Sequence, residues 1–268
     1  MLNVADSGAG RGIAHYCGMA VREVGDYAAG EIAVEGTAAV REQLTDAQGR
    51  LRAGALLTLA DSVAGFCAGL AVVPDGWVVS TNLMLRAATL RPSGVLHFTS
   101  GVARRGRASV LTTVDVHDDD GSRVASGMLT SAVLVPDGGP PQWPRPARLD
   151  ALAPPDDERN MYDWLGIDGR DGEARLAVTD AVRNPWGIVH GGVTAAVIDH
   201  AATGLVRGSA TYDAVVHYLA PNRVGPVHAT SRRLGDRADG TVVRVEVRDA
   251  GADGRRTALA VVTVRADR

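Results

Sequence analysis

Hydrophobic positions fall along the chain in two styles, and the order in which they fall repeats. Two blocks are almost wholly apolar: residues 53–73, which carry Asp61 as their one charge, and residues 191–206, broken by Asp199. Their length and composition predict helices buried on most sides. Elsewhere apolar and polar residues alternate at the two-residue period of half-buried strands. Such runs are 31–37 ahead of the first helix, and 77–85, 96–103, 109–117 and 123–134 after it. Around the second helix they are 173–179, then 214–219, 227–234, 241–248 and 257–265. Each half reads as strand, turn, long helix and four strands, an α+β unit present twice.

The punctuation supports this division. Pro74-Asp75-Gly76 stops the first helix, and Asp118-Asp119-Asp120-Gly121 and Gly251-Ala252-Asp253-Gly254 take the hairpin positions. The first of these hairpins lacks the later ligand positions of a calcium loop and is read as a turn. Residues 1–20 are small, Gly-rich and aperiodic, a loose lead-in. Residues 136–146 hold five prolines in eleven positions, which suits a semi-rigid extended linker. The expected division is 1–135 for the first unit, 136–157 for the linker and 158–268 for the second unit. The repeat has a register. Gly49, Gly54 and Asp61 fall on Gly187, Gly192 and Asp199 at an offset of 138, and Asp46 falls on Asn184. Arg52 and Ala53 stand where His190 and Gly191 stand in the second half. Duplication of this kind predicts that the halves pack as a pseudo-dimer about a local twofold.

Composition narrows the function. A hydrophobic content of 46% supplies two cores, and a net charge of −3 leaves no basic footprint for nucleic acid. Cys17 and Cys67 have neither metal nor redox spacing and favour a reducing compartment. With no basic stretch leading into an apolar run at the N-terminus, the expected location is the cytoplasm. Residues 53–73 are long enough to cross a bilayer. Their Ala and Gly content, lack of an aromatic belt and central carboxylate favour a core helix, and no membrane is expected.

Candidate chemistry gathers at residues 184–199. A helix starting at His190 or Gly191 has N–H groups without internal partners at its positive end, which suits a carbonyl oxygen. Asp61 and Asp199 lie among Ala, Val and Ile, where an ionised carboxylate needs either a partner or a task. The plain structural alternative is a carboxylate satisfied by a backbone N–H or an Arg. His190 equally suits a loop cap, and His200 a structural residue. His190, His200 and His217 lack metal-site spacing, so no metal is expected.

Asn184, Gly187, His190-Gly191-Gly192 and Asp199, with Tyr218-Leu219-Ala220-Pro221 and Gly225 beyond them, resemble the signature of the hotdog-fold acyl-CoA thioesterases, in particular the phenylacetate-pathway (PaaI-like) group. The second half matches throughout. The first matches in layout, in Asp61 and in Leu90-Arg91-Pro92-Ser93-Gly94, but not in the His-Gly pair. The resemblance implies two tandem hotdog domains, each an antiparallel sheet wrapped around a long helix, with composite sites at their interface. One site would join Asn184, His190 and Gly191 to Asp61. The other would join Asp46 and Ala53 to Asp199, with the negative Asp46 opposing both Asp199 and a developing oxyanion. Gly192, Thr203, Ser80 and Thr81 are the expected substrate-side helpers, Thr203 beside Asp199 and Ser80 or Thr81 beside Asp61. The implied reaction is hydrolysis of an acyl-CoA or related thioester. A helix N–H would steady the oxyanion, Asn184 would position water or thioester, and the carboxylate would act as base or nucleophile. Coenzyme A enters as part of the substrate, with no other cofactor, and a dimer of double-hotdog chains is expected. The alternative is a non-catalytic acyl-CoA-binding module. A hotdog hydratase would want an Asp and a His poised together after the helix start, a pattern not found here.

Overall fold

The computed structural model describes residues 12–26, 29–135 and 145–266. The first eleven residues of the expected lead-in and residues 136–144 of the expected linker lie outside them. In chain order the elements are α1 (Ile13–Tyr16), β1 (Ala20–Glu23), β2 (Ala33–Ala39), α2 (Ala53–Leu70), β3 (Trp77–Ala87), β4 (Val95–Arg105), β5 (Ser109–His117), β6 (Arg123–Leu134) and β7 (Arg148–Leu149). They continue with α3 (Met161–Leu165), β8 (Ile167–Asp168), β9 (Glu173–Leu176), α4 (Gly191–Leu205), β10 (Ser209–Tyr218), β11 (Val227–Arg237), β12 (Gly240–Asp249) and β13 (Arg255–Ala266). Among the described residues the strands join one antiparallel sheet of thirteen, in the order β7-β1-β2-β4-β5-β6-β3-β10-β13-β12-β11-β9-β8. Its midpoint is the β3–β10 pair, where Met84 lies opposite Val215 and Asn82 opposite His217.

The sheet curls around α2 in the first half and α4 in the second. This explains why neither helix shows a polar face. Leu56, Leu57, Leu59, Ala60, Val63 and Ala64 of α2 are at most 2% exposed, as are Val193, Ala196, Val197 and Ile198 of α4. Each buried Leu or Ile contributes about 1.5–3 kcal/mol. By length and composition α2 would pass for a membrane span, but 83% of it is buried inside the protein.

The two helices also pack on each other through their smallest residues. A Cβ on Gly54 would run into Ala196, and one on Gly192 into the backbone of Thr58. Those contacts exchange under the repeat offset, which places the local twofold between α2 and α4. Ahead of each helix the same turn recurs. A bridge joins Thr45 to Leu51 in one half and Arg183 to Val189 in the other, with Gly49 and Gly187 both at φ 69°. Beyond the helices the offset falls to 131, because α2 and the turn after it are longer. Gly94 then matches Gly225, Asp118 matches Asp249, and the bulge after Ser80 in β3 matches the one after Thr211 in β10.

Four features depart from the expected pattern. The lead-in contains α1 and the start of β1. Part of the expected linker, Arg148–Leu149, is an edge strand paired with Arg22 and Val21 of β1. α2 ends at Leu70 rather than at residue 73, in a turn closed by Val72 N–H on Gly69 O. β10 begins at Ser209, five residues early, because pairing of Ser209, Ala210 and Thr211 with the end of β13 extends the strand ahead of the part that also meets β3.

Candidate active site

Each long helix borrows the cap of its first turn from the other helix. The N–H of Gly192 donates to Asp61 Oδ2 at 2.9 Å, and the N–H of Gly54 donates to Asp199 Oδ2 at 2.9 Å. A carboxylate at the positive end of a helix is favoured by the dipole as well as by the bond. The reciprocal arrangement explains why both Asp residues persist on apolar helices. Asp61 and Asp199 are 4% and 3% exposed.

The surroundings of the two carboxylates differ. At Asp61, the Ser80 hydroxyl donates to Oδ1 at 2.7 Å. His190 caps α4: its Nδ1 accepts the Gly192 N–H at 3.0 Å and lies 3.4 Å from Asp61 Oδ2. Its Nε2 faces Ser62 Oγ at 3.4 Å. The Tyr218 hydroxyl donates to Gly191 O at 3.0 Å, and burial, then the Asp61 charge, holds it protonated well above its usual range. Gly191 is the first residue of α4, and among the described residues its N–H has no partner. A Cβ there would stand 2.9 Å from Asp61 Oδ2, so the glycine is what lets the carboxylate reach the helix end. A nearly dry carboxylate, a hydroxyl and a free helix N–H therefore meet beside the part-exposed His190.

At Asp199 the corresponding space is filled. Tyr162, on α3, is 3% exposed and donates its hydroxyl to Asp199 Oδ2. Burial, then the neighbouring Asp199 charge, pushes the phenol well above its usual range, so it remains a donor. The Arg52 guanidinium lies over the Tyr162 ring at 4.7 Å, and His200 meets the ring edge at 5.4 Å. Among the described residues Asp199 Oδ1 is buried without a hydrogen-bond partner, as is the Thr211 hydroxyl, the counterpart of Ser80.

Several expected roles are revised by these positions. Asn184 sits in the turn before α4, where its Oδ1 accepts the N–H groups of Trp186 at 3.0 Å and Ile188 at 3.3 Å. Asp46 closes the matching turn through Gln48 and Arg50 N–H, both at 2.9 Å, and its other oxygen takes Arg50 Nε at 2.8 Å. Burial works to raise the Asp46 pKa, but these bonds together hold it below the usual carboxylate range. The charge of Asp46 is thus spent on Arg50 and not directed against Asp199. Ala53 opens α2 one residue ahead of Gly54, whose N–H is the one held by Asp199. Thr203 donates to the main-chain oxygen of Asp199 at 2.8 Å instead of the carboxylate, and Thr81 to Thr130 O at 3.0 Å. His217 is exposed and meets Asn82 across the β3–β10 pair at 3.1 Å. Tyr162 escaped the sequence reading, although Asn160 and Gly166 bracket α3 with cap signals. Asn160 Oδ1 accepts Tyr162 and Asp163 N–H, and Gly166 ends the helix at φ 72°.

Residues 180–267, which include α4 and its turn, match the family described as the acyl-CoA thioesterase N-terminal domain. Comparison with curated proteins gives no match. Among solved structures, a protein described as having a hot dog fold, from Alicyclobacillus acidocaldarius, aligns with a TM-score of 0.57 at 15% identity, covering 87% of this chain and 94% of that one. The fold is the hotdog fold. An acyl-ACP thioesterase from Bacteroides thetaiotaomicron shares this hotdog architecture at 15% identity and TM-score 0.58, over 87% of this chain and 98% of that one. The 12:0-ACP thioesterase from Umbellularia californica does so at 13% identity and TM-score 0.63, over 88% and 95%. In hotdog terms, each site here joins the central helix of one unit to the helix start of the other.

Proposed function

We propose that the chain hydrolyses an acyl thioester at the site made by Asp61 and the start of α4. The observation that carries this reading is the buried Asp61 carboxylate of the first half seated beside the Gly191 N–H, unpartnered among the described residues, at the start of α4 in the segment that matches a thioesterase family. In this reading Asp61 takes a proton from water as the water oxygen bonds to the thioester carbon. The carbonyl oxygen becomes an oxyanion facing the Gly191 N–H; a donor in that place is worth about 3 kcal/mol. Collapse breaks the C–S bond, the thiolate takes the proton held by Asp61, and free acid, thiol and the Asp61 carboxylate result. Both Asp61 oxygens already accept hydrogen bonds, which favours base over nucleophile. His190 and Tyr218 fix the helix entrance, and Asn184 shapes the turn that leads to it. The Asn-Gly-His-Gly-Gly signature supports the PaaI-like group, and coenzyme A is the carrier that the matched family's description favours. Two structural relatives are named for acyl-ACP, so both carriers belong in the test.

The test is thiol release from acyl-CoA and acyl-ACP panels, run in ¹⁸O-water with the protein recovered after turnover. Thiol release with label in the free acid and none in Asp61 is expected. Label in Asp61 would replace base by nucleophile catalysis. Tight binding of thioesters without turnover would replace the enzyme by a non-catalytic acyl-CoA-binding module.

A further inference from the structure

The local twofold brings a counterpart of every element at Asp61 to Asp199, and this second constellation has groups left over. Asp199 takes the place of Asp61, Gly54 that of Gly192, and Thr211 that of Ser80, while Ala53 opens α2 where Gly191 opens α4. Ser80 spends its hydroxyl on Asp61. By contrast, the Thr211 hydroxyl and Asp199 Oδ1 are both buried and, among the described residues, unpartnered. Two unspent polar groups in an apolar core are costly unless they serve something. Thr211 also lines a small cavity of about 10 Å³ with Ala53, Leu57, Leu85 and Ala87. The Tyr162 side chain stands at the start of α2, where a Cβ on Gly54 would meet its hydroxyl. Its hydroxyl caps Asp199, and its ring is clamped by Arg52 and His200, which stand at the positions of His190 and Ser62 in the other site.

We propose that Asp199, Thr211 and the start of α2 form a second thioester site that Tyr162 holds shut, so that the native chain binds one thioester rather than two. Tyr162 comes from α3, which stands ahead of β8 and β9 as α1 stands ahead of β1 and β2. The two short helices are used differently: Tyr16 of α1 donates its hydroxyl to Arg159 O at 2.6 Å, whereas Tyr162 of α3 caps Asp199 and leaves the groups beneath it in place. Ala53 keeps the N–H that an oxyanion needs, and the turn residue Asp46 is neutralised by Arg50. This inference rests on the thioester reading of the Asp61 site.

Two measurements test it. The first is calorimetric titration of a non-hydrolysable alkyl-CoA thioether. Wild type should bind one per chain and Tyr162→Ala two; two sites in wild type overturn the closure. Absence of binding to wild type, with no hydrolysis, overturns the thioester reading itself and the inference with it. The second is rescue in an Asp61→Asn background, using thiol release. Asp61→Asn/Tyr162→Ala should regain roughly tenfold over Asp61→Asn, a small part of the ~100-fold or more that a general base supplies. Adding Asp199→Asn should abolish the gain, and Tyr162→Phe, which keeps the ring, should give none. A folded Asp61→Asn/Tyr162→Ala protein no faster than Asp61→Asn overturns the inference even where wild type is active.

Discussion

Gly191 leaves room for a carboxylate where any side chain would press against it. Gly191→Ala sets a methyl 2.9 Å from Asp61 Oδ2, and the carboxylate must move away from the helix end. The expected outcome is a loss of roughly 10- to 100-fold in kcat, since small misplacements of reacting groups cost that much. Stability should change little; steady-state kinetics beside a melting curve check both. That Asp61, His190 and Gly191 lie together follows from what the sequence offered, because glycines and a His at a helix start are local signals. Their individual duties do not follow. Only the fold reveals that Gly192 rather than Gly191 holds Asp61, and that Asn184 and Asp46 serve their turns. A side chain's hydrogen-bond partner depends on the neighbouring element, which the local pattern does not encode.

At the scale of elements, α2 and α4 approach through Gly54 and Gly192, and that closeness lets each helix cap the other. Gly192→Ala drives a methyl into Thr58 and should separate the pair. Overpacking of this kind costs about 1–3 kcal/mol, read as a lower midpoint in urea or heat unfolding. The turn between β10 and β11 depends on Asp249, a fully buried carboxylate that accepts the N–H groups of Arg223, Val224 and Gly225. Burial works to raise its pKa, but those bonds outweigh it and hold the group below the usual range. A lowered folded pKa means that this stabilisation is complete above the unfolded value near ~4 and fades as pH falls through the folded value. Asp249→Asn should therefore melt below wild type at pH 7, with the gap closing below about pH 4. A gap independent of pH would contradict this account of the turn. The long helices and most long strands were legible because their periods are strong. α1, α3 and the two-residue strands were not, being too short to show a period.

Across the whole molecule the sheet runs without a break through the β3–β10 pair, and the helix pair crosses the same seam. The edges are closed by β7 and β8, each two residues long, which limits unpaired backbone at the rims. Because the seam belongs to both cores, heat should unfold the two halves together in one transition, measured by calorimetry. Two separated transitions would contradict that coupling. The repeat itself could be read in the sequence from three identities. The drop in offset from 138 to 131 beyond the helices could not, and it hid the correspondence of Ser80 with Thr211. Neither half holds a complete site, so the tandem arrangement is a condition of the proposed chemistry and more than a way of adding stability.

The most direct test is the rate of thiol release by Asp61→Asn and Asp199→Asn, each against wild type on its best acyl thioester. The account predicts a fall of ~100-fold or more for Asp61→Asn, the range expected when a general base is lost, and a clearly smaller fall for Asp199→Asn. Equal rates in the two variants, or an Asp61→Asn protein as fast as wild type, would contradict it.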